Sequence, residues 1–138
     1  IADQLKLPPM VKENTDKFKT PFTISIDSVK TKTGISAADR CLTALTLADE
    51  NTKPEDLSRP GHLFPLIARD GGVQERAGHT EAAVDLCKLA GLRPAAVISE
   101  MMTDDGAMMR EQELKEFART YKLTLISIAD LINYLEKN

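Results

Sequence analysis

Tryptophan is absent, aromatic residues make up only 4% of the chain, and cysteine and histidine occur twice each. So few aromatics leave no base-stacking surface, and a net charge of −3 gives no electrostatic pull towards nucleic acid or an anionic membrane. No apolar run approaches the roughly 20 residues that span a bilayer, and no signal-peptide pattern opens the chain. No nucleic-acid or membrane partner is therefore expected. Two cysteines do not make a disulfide framework. Cys41 and Cys87 each fall in a segment that reads as an amphipathic helix, so they are expected to be buried free thiols in a reducing, cytoplasmic setting.

What is present is ordinary in bulk: 138 residues, 42% apolar and 28% charged, enough for one domain with a hydrophobic core. The chain opens on Ile1, and residues 1–7 read as the tail of a helix ended by Pro8-Pro9. A preceding segment, missing from these residues, is expected.

The alternation of apolar Phe22, Ile24 and Ile26 with Thr23, Ser25 and Asp27 predicts a half-buried strand. Ser36, with Asp39 three residues on, predicts a helix cap, and Cys41, Leu45 and Ala48 line one face of that helix. Residues 51–60 read as a loop and 63–69 as a strand interrupted by Pro65. A helix follows Thr80 and ends at Gly91, and residues 95–99 and 123–126 read as further strands. Two surface helices carry Leu114, Phe117, Ala118 and Tyr121, then Ile128, Leu131, Ile132 and Leu135 behind a Ser127 cap. Alternating strands and helices predict an at least partly parallel sheet covered by helices.

The chemistry concentrates in Arg76-Ala77-Gly78-His79-Thr80-Glu81, ahead of an Ala-rich helical segment. A helix N-terminus attracts anions, and an arginine and a threonine hydroxyl there favour phosphate, so a small phosphorylated substrate is expected. His79 can carry a proton or bind a metal, but a metal site needs at least two or three ligands, and no HxxxH or CxxC partner is present. His62, in Arg59-Pro60-Gly61-His62, sits in a stiff loop leading into a strand; it is either a site histidine or an ordinary surface one. Glu100, at the end of the expected strand 95–99, is either a general base with a raised pKa or a carboxylate reaching solvent. Asp104-Asp105-Gly106 is a solvated turn. Thr33-Gly34-Ile35-Ser36 offers hydroxyls and amides at a second helix start, for an anion, a sugar hydroxyl or capping alone.

Together, Thr33-Gly34-Ile35-Ser36-Ala37-Ala38-Asp39-Arg40, Arg59-Pro60-Gly61-His62, Arg76-Ala77-Gly78-His79-Thr80-Glu81 and Glu100-Met101-Met102-Thr103-Asp104-Asp105-Gly106 closely resemble the 3,4-dihydroxy-2-butanone 4-phosphate synthase family of riboflavin biosynthesis. The likeness runs in order from about Leu5 to the C-terminus, and four ordered motifs are far more specific than one.

The resemblance implies an α+β fold, three-layer and α/β/α-like, with a mixed β-sheet and helices packed around it. It implies a single domain over residues 1–138, with the N-terminal part of that domain missing. It implies a magnesium-dependent lyase (manganese being the other divalent ion expected) that converts ribulose 5-phosphate to dihydroxybutanone phosphate and formate. The family works as a homodimer with active sites at the subunit interface. Carried over by residue, His79 is a metal ligand, Arg76, Ala77, Gly78, His79 and Thr80 bind the sugar phosphate, His62 and Glu100 serve catalysis, and Thr33 approaches the substrate. The family's N-terminal acidic loop, which supplies a glutamate to the metal, has no counterpart here. A catalytically incomplete sugar-phosphate-binding and dimerisation domain of the same fold is the other reading.

Overall fold

The computed structural model describes residues 1–137. Strand β1 (Ile26–Ser28) pairs antiparallel with β2 (Leu57–Leu63), and helix α1 (Ala37–Ala48) lies between them in sequence and packs on both. A 3₁₀ turn at Pro54–Asp56 leads into β2. Four helices follow: α2 (Gly72–Glu75), α3 (His79–Leu89), α4 (Glu111–Tyr121) and α5 (Ile128–Lys137), with α5 packed on α2 and α3. The α+β class holds, but among the described residues the sheet is two-stranded and antiparallel rather than mixed.

A small core cluster seats Leu5, Leu7, Ile26 and Leu57, with Ala2, Ile24, Leu47 and Leu63 against it. Residues 1–7 reach it by turns rather than a helix, with Leu5 N–H on the Ile1 carbonyl and Leu7 N–H on that of Ala2. The Arg59 guanidinium ties this segment to β2 by donating to the Leu5 carbonyl at 2.7 Å.

The first strand is shorter than its alternation predicts, and its polar residues turn inward. Thr23 and Asp27 are buried while Phe22 is exposed, because the polar pair has partners: Thr23 N–H donates to the Pro65 carbonyl, and Asp27 binds His62. The expected loop 51–60 contains the start of β2, and the expected strand 63–69 contributes one isolated bridge, Leu66 to Phe22. Leu57 and Leu63 supply apolar anchors on either side of a proline, and the strand bulges to pass it.

Helix α1 is capped as expected, the Ser36 hydroxyl accepting the Asp39 N–H at 3.1 Å. Its buried face is not the expected one. Leu45 is 64% exposed and Cys41 is exposed, whereas Thr43 is buried and its hydroxyl accepts the Ser28 N–H at 2.9 Å. An amide at the end of a short strand needs an acceptor, and a threonine rather than an aliphatic side chain meets that need. Cys87 is half-buried, and both thiols are free. The end of α3 follows its sequence: Gly91 takes φ +68°, and Leu92 N–H returns to the Cys87 carbonyl at 2.8 Å. Ser127 and Asp130 cap α5 reciprocally.

Residues 95–99 and 123–126 are not strands and are mostly exposed, with Val97 at 71%. A strand exists only against a hydrogen-bonding neighbour, and none lies beside them among the described residues. The surface reflects this: 9985 Å² is accessible to solvent, against roughly 7,100 Å² for a compact monomer of this mass.

Candidate functional site

The pairing between the strands places His62. Ile26 faces Leu63, yet the next residue, Asp27, faces Ser58, so residues 59–62 bulge out of the ladder. The Arg59–Pro60 peptide is cis, and Gly61 lies directly on the β1 backbone, its N–H donating to the Ser25 hydroxyl at 3.2 Å. A Cβ at Gly61 would overlap the Ile26 carbonyl carbon and the Asp27 nitrogen. Beyond it, His62 turns back onto β1. Its backbone N–H donates to Asp27 Oδ1 at 3.0 Å, and its Nδ1 lies 2.6 Å from Asp27 Oδ2.

A carboxylate only accepts, so the proton of a neutral His62 ring sits on Nδ1 and Nε2 keeps its lone pair. The imidazole is 43% exposed, whereas the Asp27 side chain is nearly buried, so the ring is held from behind and open in front. Such an imidazole can exchange a proton with a bound molecule through Nε2. Asp27 is the residue that the sequence reading missed; its signal was a charged residue closing an apolar alternation.

Gly34 brings the Thr33 segment against this pair. It takes φ +80°, and a Cβ there would overlap Asp27 Oδ2 and lie 2.6 Å from His62 Nδ1. Thr33 itself is exposed. Asp39 fastens the segment, accepting the Lys32 N–H at 3.3 Å and the Gly34 N–H at 3.1 Å. Desolvation pushes the Asp39 carboxyl up, but the hydrogen bonds from Lys32, Gly34, Ser36 and Thr33 outweigh it and hold the group below the ordinary aspartate range. A carboxyl lowered on folding adds stability above its unfolded pKa, about 3.9, and that stability is lost as pH falls through the lower folded value. Thermal midpoints of wild type and Asp39→Asn should therefore differ at neutral pH and converge under acid below about pH 4. A gap that persists to pH 2 would contradict this role.

The Arg76 to Thr80 run opens α3 as expected. Gly78 is the N-cap, and among the described residues no side chain makes the capping hydrogen bond at this helix start. Arg76 is partly buried and ion-paired to Glu81 at 2.7 Å, while His79 is exposed. Glu100 is placed differently from the expectation: its segment is not a strand, it is exposed, and its carboxylate makes no hydrogen bond or ion pair to another site residue among the described residues. Nor does any group of three or more His, Cys, Asp or Glu among them form a metal-holding cluster. His79, the expected metal ligand, belongs to no such group among the described residues. Two surface clefts, one bounded by Asp70, Gln74, Lys88 and Leu135 and the other by Pro9, Phe22 and Ile67, contain none of the expected site residues.

A family model for 3,4-dihydroxy-2-butanone 4-phosphate synthase matches residues 1–134. The chain belongs to that family. The riboflavin biosynthesis protein RibBA of Staphylococcus aureus strain MRSA252 is 56% identical over 137 residues, covering 99% of this chain and 35% of its own length. The 3,4-dihydroxy-2-butanone 4-phosphate synthase of Wolinella succinogenes is 52% identical, over 99% of this chain and 40% of its own. The Candida albicans synthase superposes with a TM-score of 0.91 at 46% identity, over 97% of this chain and 66% of that one. A synthase solved in complex with two magnesium ions gives a TM-score of 0.90 at 41% identity, over 99% of this chain and 69% of that one. The chain thus spans under half of these curated relatives and about two thirds of these solved ones. Among the described residues, no helix of this synthase-family chain is long and apolar enough to cross a membrane.

Proposed function

We propose that this chain is the larger part of a single lyase domain that converts D-ribulose 5-phosphate to L-3,4-dihydroxy-2-butanone 4-phosphate and formate, in riboflavin biosynthesis. The observation that carries the reading is the start of α3, where Arg76, Gly78, His79 and Thr80 gather a guanidinium, open amides, an imidazole and a hydroxyl at one helix end. That set suits a phosphate monoester of a small sugar.

In this reading Arg76, Ala77, Gly78, His79 and Thr80 bind the sugar phosphate, and Thr33 contacts the remainder of the sugar. The reaction begins with removal of a proton beside the ketone, which requires a base. Glu100 takes that part. His62, with Asp27 fixing its tautomer, moves protons during the dehydration and rearrangement that follow. His79 would be this chain's ligand to magnesium, or to manganese, and when bound the ion would polarise the substrate's oxygens. The described residues offer no second or third ligand in a cluster with it. Homodimerisation accords with the large apolar surface, and a cytoplasmic setting with the free thiols.

The test is incubation of the protein carrying this chain with ribulose 5-phosphate and magnesium, with formate followed by a coupled dehydrogenase assay. Formate release that disappears in Arg76→Ala is the expected result. Binding without formate would point to a sugar-phosphate-binding and dimerisation domain of the same fold, a reading that the family relationship does not favour.

A further inference from the structure

Helix α3 carries Glu81 and Asp85 one turn apart on its buried face, and each carboxylate bonds to the chain that precedes the helix. Asp85 Oδ2 accepts the Val73 N–H at 2.8 Å, and Lys88 Nζ lies 3.3 Å from its other oxygen. Glu81 is completely buried. Its Oε1 accepts the Arg69 N–H at 3.0 Å, and its Oε2 accepts from Arg76 Nη1 at 2.7 Å. Gly78 leaves the room for this contact, since a Cβ there would overlap Arg76 Nη1 and fall 2.6 Å from Glu81 Oε2.

A buried ion pair is weak evidence for stability, because apolar residues of similar volume usually do as well. What such a pair supplies that leucine does not is a fixed direction for the guanidinium. Among the described residues only one Arg76 nitrogen, Nη1, is engaged, so a fork of donors remains for an anion.

We propose that Glu81 is a positioning residue that holds the Arg76 guanidinium over the first turn of α3, with Gly78 as the residue that admits it. The inference rests on the reading of residues 76–80 as a sugar-phosphate site. An arginine ordered in advance does not have to be ordered by the ligand, a saving that corresponds to about a tenfold gain in affinity.

The experiment measures ribulose 5-phosphate affinity by calorimetry in wild type, Glu81→Gln, Arg76→Ala and the double variant, together with the heteronuclear NOE of the Arg76 Nε–H without ligand. Glu81→Gln should weaken binding about tenfold, lose that effect in the Arg76→Ala background, and lower the Arg76 NOE. Gly78→Ala, whose methyl would press on both Arg76 Nη1 and Glu81 Oε2 and part the pair, should reproduce the loss should Glu81→Gln fail to fold. Asp85→Asn, which loosens the same segment without touching Arg76, should reduce thermal stability and leave affinity unchanged. An Arg76 side chain as rigid in Glu81→Gln as in wild type, or an affinity loss that persists without Arg76, would overturn the inference. Wild type that binds no ribulose 5-phosphate, with the Arg76 NOE still falling in Glu81→Gln, would support the positioning and overturn the sugar-phosphate reading instead.

Discussion

Asp27→Asn should lower formate release from ribulose 5-phosphate by roughly a hundredfold or more in kcat, with little change in KM. Both Asp27 oxygens are engaged, one by the His62 backbone N–H at 3.0 Å and the other by Nδ1 at 2.6 Å. An asparagine has one oxygen to offer. If it keeps the backbone bond, its amide N–H₂ faces Nδ1, the ring proton moves to Nε2, and the nitrogen that should accept a proton becomes a donor. The fold should survive, because the side chains are isosteric and the backbone contact is retained. Steady-state kinetics of Asp27→Asn, His62→Asn and the double variant check this. Near-wild-type turnover in Asp27→Asn removes the tautomer argument, and two losses that simply multiply in the double variant show that the residues act separately.

Gly61→Ala should cost stability on the order of 3 kcal/mol, a large share of the roughly 5–15 kcal/mol available to a domain. The new methyl would meet the Ile26 carbonyl carbon and the Asp27 nitrogen, which are backbone atoms of the strand itself. Rotamer changes cannot relieve that overlap. The bulge must lift off β1, exposing Ile26 and breaking the Asp27–His62 contact together. Gly106→Ala is the control, since its φ of +86° is strained for alanine, but beyond its chain neighbours no atom of the described residues lies within 4 Å of the added Cβ. It should lose only about 1 kcal/mol. Chemical denaturation of both variants separates overlap from backbone strain, and equal losses would refute the overlap.

Gly91 and Gly61 divide what was legible from what was not. Gly91 ends α3 where its sequence places it, because a helix terminus is a local event decided within one turn. The Ser36 and Ser127 caps were legible for the same reason, and so was the start of a helix behind Gly78. Gly61, by contrast, is explained only by a strand about 35 residues away in sequence, the same separation that joins His62 to Asp27. Residue types alone marked the two histidines, but not the carboxylate that orients one of them.

The inward face of α1 failed to follow periodicity because a strand amide needed the Thr43 hydroxyl more than Leu45 needed burial. Residues 95–99 and 123–126 have strand-like composition and no strand, since pairing is a property of neighbours and not of a segment. Glu100 moved from a strand end to an exposed position with them. By itself, then, the sequence determined helices α1, α3, α4 and α5, the Ser36 and Ser127 caps and the family, all of which depend on short-range spacing or on motif order. Only the tertiary structure decided that Asp27 holds His62, that Glu81 lies buried beneath Arg76, and that Gly61 must have no side chain. Each of those depends on which backbone passes within contact distance, and that is settled by packing between segments far apart in the chain.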